Sequence, residues 1–356
     1  MRRSLIMMAS AAGLAATTLS GASTAQAATN DPFYGKLWGL QQIHAEQAWA
    51  RTTGVGSIVA VVDTGIDFSQ PDLAGQTVPG ATFTGCTGAG PCGNGDFRGP
   101  DGVDDGDEHG THVAGTIAAV RGNGIGVVGV APGAKILPVK VLEAGSGSSE
   151  NIAAGIRWAT DHGANVVNLS LGSIPGGQVL SITGVDTAMK DAIAYARSKG
   201  VVTVAAAGNS STALCNDPAF DSEAICIGAT DKRGLHSWYS ELPNKLDQRS
   251  VSAPGGAGLS ALGVAGNCDE DIWSTVPAGT GSAGCGEADY DAYAGTSMAT
   301  PHVAGVAALL FAQGRTADGV EQAILTTALT PGVELRGSYT PAYGYGVVDA
   351  EAAVNS

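Results

Sequence analysis

Two kinds of apolar segment alternate along this chain of 356 residues, and their alternation constrains its fold. Short, nearly continuous runs rich in β-branched residues are typical of strands buried on both faces of a parallel sheet. These runs lie at residues 57–62, 136–142, 164–171 and 201–207. Segments with helical periodicity lie between and after them, at residues 111–120, 150–162, 183–199, 298–313 and 320–328. The pattern predicts an α/β fold with right-handed crossovers, in which a mostly parallel β-sheet carries helices on both faces in three layers.

The chain after residue 27 reads as one domain. It contains no linker-like stretch and no internal repeat, so residues 28–356 are expected to form a single large unit. Segments 86–107 and 255–289 do not fit the strand and helix pattern. Both are rich in glycine, acidic and cysteine-bearing, and we expect surface loops crosslinked by disulfides.

The first 27 residues have the features of a secretory signal peptide. Arg2 and Arg3 precede an apolar stretch, and residues 25–27, Ala-Gln-Ala, offer small side chains for cleavage. The apolar stretch is shorter than the roughly 20 residues of a membrane span, which disfavours a transmembrane anchor. We therefore expect a secreted, extracellular protein that has no membrane contact after cleavage.

Charge and cysteine content exclude several classes of binding protein. The chain has 18 Lys and Arg against 33 Asp and Glu, a formal charge of −15, so no basic surface is expected to bind nucleic acid or anionic lipid. Six cysteines in an oxidising compartment favour disulfides, and none has the Cys-x-x-Cys spacing of a zinc site. Six cysteines allow 15 pairings. Short loops favour Cys86 with Cys92, Cys215 with Cys226, and Cys268 with Cys285.

Three polar residues lie where a parallel sheet exposes the carboxyl ends of its strands. Asp63 ends the first strand, His109 begins a helix pattern, and Ser297 lies in a glycine-flanked turn before an apolar helix. Each alone has a structural explanation, as a turn residue or a helix cap. Together, a carboxylate, an imidazole and a hydroxyl are the parts of nucleophilic acyl transfer.

The segments around these residues resemble the three catalytic motifs of the subtilisin-like serine peptidases, with a pattern nearest to thermitase-like secreted bacterial members. They are Asp63-Thr-Gly-Ile, His109-Gly-Thr-His-Val-Ala-Gly-Thr and Gly295-Thr-Ser-Met-Ala-Thr-Pro. The resemblance covers about residues 31–352. It implies that Ser297 is the nucleophile, His109 the general base and Asp63 the group that orients the imidazole. It also implies that Asn209 and the Ser297 backbone N–H donate to the oxyanion.

Other features of these motifs need a separate interpretation. His112 and His302 compete for the role of the base, but the resemblance implies that both are packed structural residues.

The segment from Gly124 to Gly129 fits the glycine pattern of dinucleotide sites. It leads into a strand rather than a helix, so no organic cofactor is expected.

The resemblance also implies a substrate cleft. An extended peptide would pair with exposed strand edges. The implied substrate-binding residues are Gly145, Gly147, Ser170, Leu171, Gly172, Ala206, Ala207 and Gly208. These small residues leave room for a large apolar side chain at P1, the residue that supplies the scissile carbonyl. Asn216 or Asp217 lies near the implied floor, where an acid could favour a basic P1 residue instead.

A structural calcium site follows from the same resemblance. Its implied ligands are the side chains of Asp31, Asp72 and Asn123 and the carbonyl groups of Arg121, Ile125 and Val127. Oxygen ligands suit calcium. Without the resemblance, Asp72 would be an ordinary turn acid. A second acidic group, Asp101, Asp104, Asp105 and Asp107, would bind another ion or form a solvated loop.

The sequence therefore predicts a secreted, monomeric serine endopeptidase of broad specificity that acts on proteins or peptides. The alternative is a narrow processing protease or a non-catalytic binding protein on the same fold. Many related enzymes carry an inhibitory propeptide, but here the signal peptide runs almost directly into the domain, so neither a propeptide nor a C-terminal module is expected. Three disulfides and calcium are expected to stabilise the fold instead.

Overall fold

Seven parallel strands form the central sheet of a computed structural model that describes residues 29–88, 90–102, 107–172, 187–258 and 268–356. The strand order is β2-β3-β1-β4-β5-β6-β7. The strands are β1 Ile58–Asp63, β2 Ala81–Thr82, β3 Lys135–Lys140, β4 Val166–Leu169, β5 Val202–Ala206, β6 Ile225–Thr230 and β7 Ser250–Pro254. Two antiparallel pairs lie outside this sheet: β8 Ile272–Thr275 with β9 Tyr290–Tyr293, and β10 Leu329–Thr330 with β11 Leu335–Arg336. The predicted signal peptide lies outside the described residues.

Helices cover both faces of the sheet, as predicted. They are α1 Trp38–Gln42, α2 Ala45–Ala48, α3 His109–Ala118, α4 Ser149–Asp161, α5 Ala188–Ser198, α6 Thr296–Phe311, α7 Ala317–Thr327 and α8 Ala350–Val354. Short 3₁₀ turns occupy Tyr34–Lys36, Pro71–Leu73 and Cys268–Glu270. No helix within the described ranges combines the length and apolarity that a membrane crossing requires.

Alternate residues of β1 divide the core into two layers, because neighbouring side chains of a strand point to opposite faces. Val59 and Val61 pack in one apolar cluster with α3 and α6. Ala60 and Val62 pack in the other, with α4 and α5. Because β1 is apolar on both faces, its sequence is a continuous apolar run, and this run predicts a buried strand.

The interpretation of residues 255–289 as a surface loop is wrong for part of that segment. Residues 272–275 form β8, which is buried and paired with β9. Its polar side chains obscured the strand: Ser274 and Thr275 are fully buried because their hydroxyl groups donate to backbone carbonyls of α3. The strands β6 and β7 were also not predicted.

The three disulfides of the structure join the cysteines that are near in sequence. Cys86 pairs with Cys92, Cys215 with Cys226, and Cys268 with Cys285. The last pair joins the 3₁₀ turn before β8 to the turn that leads into β9. Crosslinks of this kind restrict the unfolded chain and stabilise the segments that carry few apolar residues.

Candidate active site

Asp63 is the last residue of β1 and is fully buried. Its Oδ1 atom accepts the Thr64 backbone N–H at 2.8 Å and lies 2.8 Å from Nδ1 of His109. The backbone carbonyl of Asp63 accepts N–H groups from the segment after β3. The carboxylate is therefore fixed by the sheet and presents one oxygen to the imidazole.

His109 is the first residue of α3, and the close approach of α3 to the turn after β1 brings it to Asp63. A Cβ atom at Gly110 would collide with the carbonyl oxygen of Gly65, so a glycine is required at this contact. The Gly110 N–H donates to Oγ1 of Thr64 at 2.9 Å. The sequence His-Gly thus places an imidazole beside the end of a strand.

The pKa of His109 is raised above its usual value. Burial opposes the charged form, but the Asp63 charge, the Asp63 hydrogen bond and the Asp107 charge outweigh it. A ring with its Nδ1–H donated to a carboxylate leaves Nε2 to accept a proton, which is the requirement for a general base.

Ser297 is the second residue of α6 and is half-buried. Its Oγ donates to the Ser170 carbonyl at 3.2 Å, and the Oγ of Ser170 donates to the Ser297 carbonyl at 2.8 Å. Ser170 also accepts a hydrogen bond at its Oγ from Asn168. In enzymes without substrate, the hydrogen bond between a nucleophile and its general base is often long, and it shortens only when substrate binds.

Asn209 lies just beyond β5 and is exposed. Its Oδ1 accepts the Thr296 N–H at 2.9 Å and the Thr296 hydroxyl at 3.0 Å. These bonds engage the amide oxygen, so the NH₂ group is the part of the side chain that can donate to a substrate. A Cβ at Gly295 would lie 3.5 Å from Nδ2 of Asn209 and 3.6 Å from the Ser297 nitrogen. Two N–H donors therefore flank the glycine beside Ser297, an arrangement suited to a developing oxyanion.

A cleft of about 510 Å³ borders His109. Five predicted substrate-binding residues line it: Gly145, Gly147, Ser170, Leu171 and Gly172. Sequence reasoning missed the apolar side chains Leu142, Ile152 and Met189 in its wall. They come from three separate segments, so only the fold brings them together. Asp107 also lines the cleft, where its carboxylate accepts the Gly145 N–H at 2.6 Å.

The other three predicted substrate-binding residues are not among those that line this cleft. Ala206 and Ala207 are buried, and Gly208 is half-buried beside Asn209. Asn216 and Asp217, which raised the alternative of a basic P1 residue, are 4% and 5% exposed. Neither residue is among those that line the cleft, so the cleft gives little support to a charged pocket.

The residues implied as calcium ligands come together at a second place. Asp72 is fully buried, and its two oxygens accept the Asn123 side-chain amide and the Val127 N–H, each at 2.7 Å. Asp31 accepts the N–H groups of Gly122 and Asn123. Burial, with a contribution from the Asp31 charge, raises the pKa of Asp72 to about 6.

Two buried carboxylates and an amide side chain in one place fit a calcium ion, which oxygen ligands suit. Within the described ranges, no three His, Cys, Asp or Glu side chains form a group able to hold a metal. In the second acidic group, Asp107 faces Gly145, and Asp104 and Asp105 lie outside the described residues.

His112 and His302 are both buried, and burial lowers the pKa of His112 to about 3 and that of His302 to about 4. Nε2 of His112 donates to the Ile272 carbonyl at 3.0 Å, and Nδ1 of His302 donates to the Met298 carbonyl at 2.8 Å. Both rings are therefore neutral and engaged in packing.

An imidazole paired with a buried carboxylate, a serine at a helix start and two nearby N–H donors define a serine hydrolase arrangement on a parallel α/β sheet. Comparisons with known proteins agree with that class. The model of the subtilase family matches residues 54–347. Thermitase from Thermoactinomyces vulgaris is 40% identical over 301 residues, which cover 84% of this chain and 91% of thermitase.

Two further relatives extend the match. Subtilisin Savinase from Lederbergia lenta is 38% identical over 320 residues, covering 89% of this chain and 97% of Savinase. The solved structure of a protease from Pseudoalteromonas arctica has a TM-score of 0.73 and 31% identity, covering 92% of this chain and 98% of that one. The chain belongs to the subtilase family and is a serine endopeptidase.

Proposed function

We propose that this protein is a secreted endopeptidase of broad specificity that uses Asp63, His109 and Ser297 as its catalytic triad. The observation that carries the proposal is the 2.8 Å contact between Asp63 and His109 at the edge of a cleft that also contains Ser170, the hydrogen-bond partner of Ser297.

In this mechanism the Ser297 hydroxyl leaves the Ser170 carbonyl and attacks the scissile carbonyl carbon, while Nε2 of His109 takes the hydroxyl proton. Asp63 stabilises the imidazolium that forms. The oxyanion accepts hydrogen bonds from Nδ2 of Asn209 and the Ser297 N–H. His109 then gives its proton to the departing amine, and an acyl-enzyme remains. Water, deprotonated by His109, hydrolyses that ester and restores the Ser297 hydroxyl.

Substrate would lie extended between the edges at residues 145–147 and 170–172. The apolar side chains Leu142, Ile152 and Met189 favour apolar substrate side chains on the acyl side of the scissile bond. Asn216 and Asp217 are not among the residues that line the cleft, which favours a large apolar P1 residue over a basic one. Backbone pairing would supply most of the contacts in this arrangement, which supports broad specificity.

Calcium would be held by Asp31, Asp72 and Asn123, together with the carbonyl groups of Arg121, Ile125 and Val127. A bound ion would neutralise the buried Asp72 carboxylate and join the segment after β1 to the segment after α3. Its contribution is to stability and not to a catalytic step. Secretion is supported by the composition of residues 1–27 and by three disulfides, which persist in oxidising compartments.

The test is to express the secreted chain with calcium, treat it with a sulfonyl fluoride and locate the adduct by peptide mass spectrometry. An adduct on Ser297 with matching loss of casein hydrolysis supports the proposal, and Ser297→Ala serves as the control. A folded protein that forms no adduct contradicts it. Labelling of Ser297 without casein hydrolysis would favour a narrow processing protease.

A further inference from the structure

Tyr293 connects the two elements that carry His109 and Ser297. It is the last residue of β9 and lies four residues before Ser297. Its ring stacks on the ring of His112, with centroids 4.5 Å apart and planes 15° from parallel. Its hydroxyl donates to the carboxylate of Glu108, the residue immediately before His109. Tyr293, close to the nucleophile in sequence, therefore contacts the residue just before His109 and a residue three positions after it.

The rest of the β8–β9 hairpin attaches to the same turn of α3. The Ser274 hydroxyl donates to the His112 carbonyl at 2.7 Å, and the Thr275 hydroxyl donates to the Thr111 carbonyl at 2.8 Å. The His112 ring donates to the Ile272 carbonyl at 3.0 Å. The hairpin is thus fixed to α3 along β8, while β9 continues through Ala294 and Gly295 into α6.

Glu108 departs from the usual role of its position. It is the N-cap residue of α3, yet its side chain makes no hydrogen bond to the N–H groups of the helix. The carboxylate instead reaches the hydroxyl of Tyr293, and both side chains are half-buried. Burial and the bond with Glu108 raise the pKa of Tyr293, so the hydroxyl remains a donor across the working range of pH.

We propose that Glu108 and Tyr293 are positioning residues that set the distance between the His109 imidazole and the Ser297 hydroxyl. The inference rests on the proposed catalytic function of that pair. The Ser297 hydroxyl donates a hydrogen bond to the Ser170 carbonyl at rest. Proton transfer therefore requires this hydroxyl to come within a short distance of the His109 imidazole. The two groups lie on separate helices, and a misplacement of about 1 Å can lower the rate about 100-fold.

The experiment compares Glu108→Ala, Glu108→Gln, Tyr293→Phe and the double variant Glu108→Ala/Tyr293→Phe on a peptide substrate. Each loss of the hydrogen bond should lower kcat about tenfold, within that 100-fold limit, with little change in KM. Glu108→Gln keeps an acceptor and should retain most of kcat. The double variant should be no worse than either single one, because both remove the same bond.

Tyr34→Phe is the matched control. The Tyr34 hydroxyl donates to the Glu46 carboxylate at 2.5 Å, a bond of the same kind between residues that do not line the cleft. This variant should leave kcat unchanged. If Glu108→Gln instead loses as much as Glu108→Ala and both shift the acidic limb of the pH profile, the charge matters rather than the position. That result, multiplicative losses, or unchanged kcat in the alanine variant would overturn the inference.

A crystal structure of Glu108→Ala gives a readout independent of turnover. The inference requires a longer or more variable distance from Nε2 of His109 to Oγ of Ser297 than in the unaltered protein, and an unchanged distance would refute it. If the unaltered protein itself hydrolyses no peptide and forms no Ser297 adduct, the proposed function fails instead, and the distance comparison still tests the positioning role.

Discussion

Ser170 and Ser297 exchange two hydrogen bonds, each hydroxyl donating to the backbone carbonyl of the other residue, at 2.8 Å and 3.2 Å. The first bond holds the backbone of the nucleophile, and the second holds its hydroxyl in the resting state. Only the second must break for attack. The Asn168 side chain donates to the Ser170 hydroxyl and orients this exchange from within β4.

Ser170→Ala removes the bond to the Ser297 backbone and leaves the Ser170 carbonyl in place. A hydrogen bond of this kind contributes about 0.5–1.5 kcal/mol, so we expect kcat to fall about twofold to 13-fold with little change in KM. Ser57→Ala is the control, since Ser57 is buried and its hydroxyl donates to the Gly54 carbonyl at the opposite end of β1. It should lower stability only. Equal kcat in Ser170→Ala and the unaltered enzyme would contradict a positioning role for this bond.

Asn209→Ala should lower kcat about 100-fold to 1,000-fold, a range established for the side-chain oxyanion donor of a subtilisin, with KM little changed. Because Asn209 also accepts hydrogen bonds from Thr296, the alanine variant alone does not isolate the donor. Asn209→Asp keeps an oxygen toward Thr296 and removes the NH₂ group. Both variants should lose activity. Retention of kcat in Asn209→Asp would show that the contact with Thr296 matters, and the exposed Asn94→Ala provides the neutral control.

The pH dependence of kcat/KM should report His109. Burial opposes its charged form, yet the charges of Asp63 and Asp107 raise its pKa above the ordinary value. The base must be neutral, so activity rises as pH increases through this raised pKa. Asp107→Asn removes one of the charges and should move the acidic limb to lower pH. Asp221→Asn, which alters a surface ion pair with Lys190, should leave the limb in place. A limb that stays fixed in Asp107→Asn would exclude the influence of Asp107.

Apolar composition made several buried strands recognisable in the sequence, although β6, which is also mostly apolar, was not predicted. β1 and β3 consist mostly of apolar residues and were recognised, whereas β7 contains Ser250 and Ser252, both fully buried. The Ser252 backbone exchanges hydrogen bonds with Gly346 and Val348, nearly 100 residues further along the chain. No local pattern predicts partners at such a distance, so this strand, which is rich in serine, was not predicted.

In the active site, too, some residues are identified by a local motif and others only by the fold. Asp63 and His109 are 46 residues apart, but each lies in a motif that identifies it. Glu108 and Tyr293 are 185 residues apart, and their bond depends on how the β8–β9 hairpin packs on α3. The sequence therefore predicts which residues have reactive groups, while the fold determines which residues hold them in place.

Calcium removal should lower the melting temperature. We expect the free energy of unfolding in excess calcium to exceed that in EDTA by about 2.7 kcal/mol when the calcium concentration is 100 times its Kd. The measurement uses the Ser297→Ala variant, in which autolysis cannot contribute. Asp72→Asn should abolish most of the calcium response. Asp161→Asn, an exposed carboxylate that accepts the Tyr195 hydroxyl, should keep it. A full calcium response in Asp72→Asn would place the ion elsewhere.

Acid should destabilise the fold through its buried histidines. The pKa values of His112 and His302 are about 3 and 4 in the folded protein, against 6.5 in an exposed histidine. Between pH 6.5 and about 4 the unfolded chain binds protons that the folded protein excludes, so stability falls as pH falls, by up to about 1.4 kcal/mol per pH unit for each histidine.

Urea unfolding of Ser297→Ala between pH 4 and 7 measures this slope. Adding His302→Gln should lower stability at pH 7 yet make the slope shallower by up to one proton, because glutamine does not titrate. A slope that is identical with and without His302 would mean that this histidine binds its proton equally well in the folded and unfolded states.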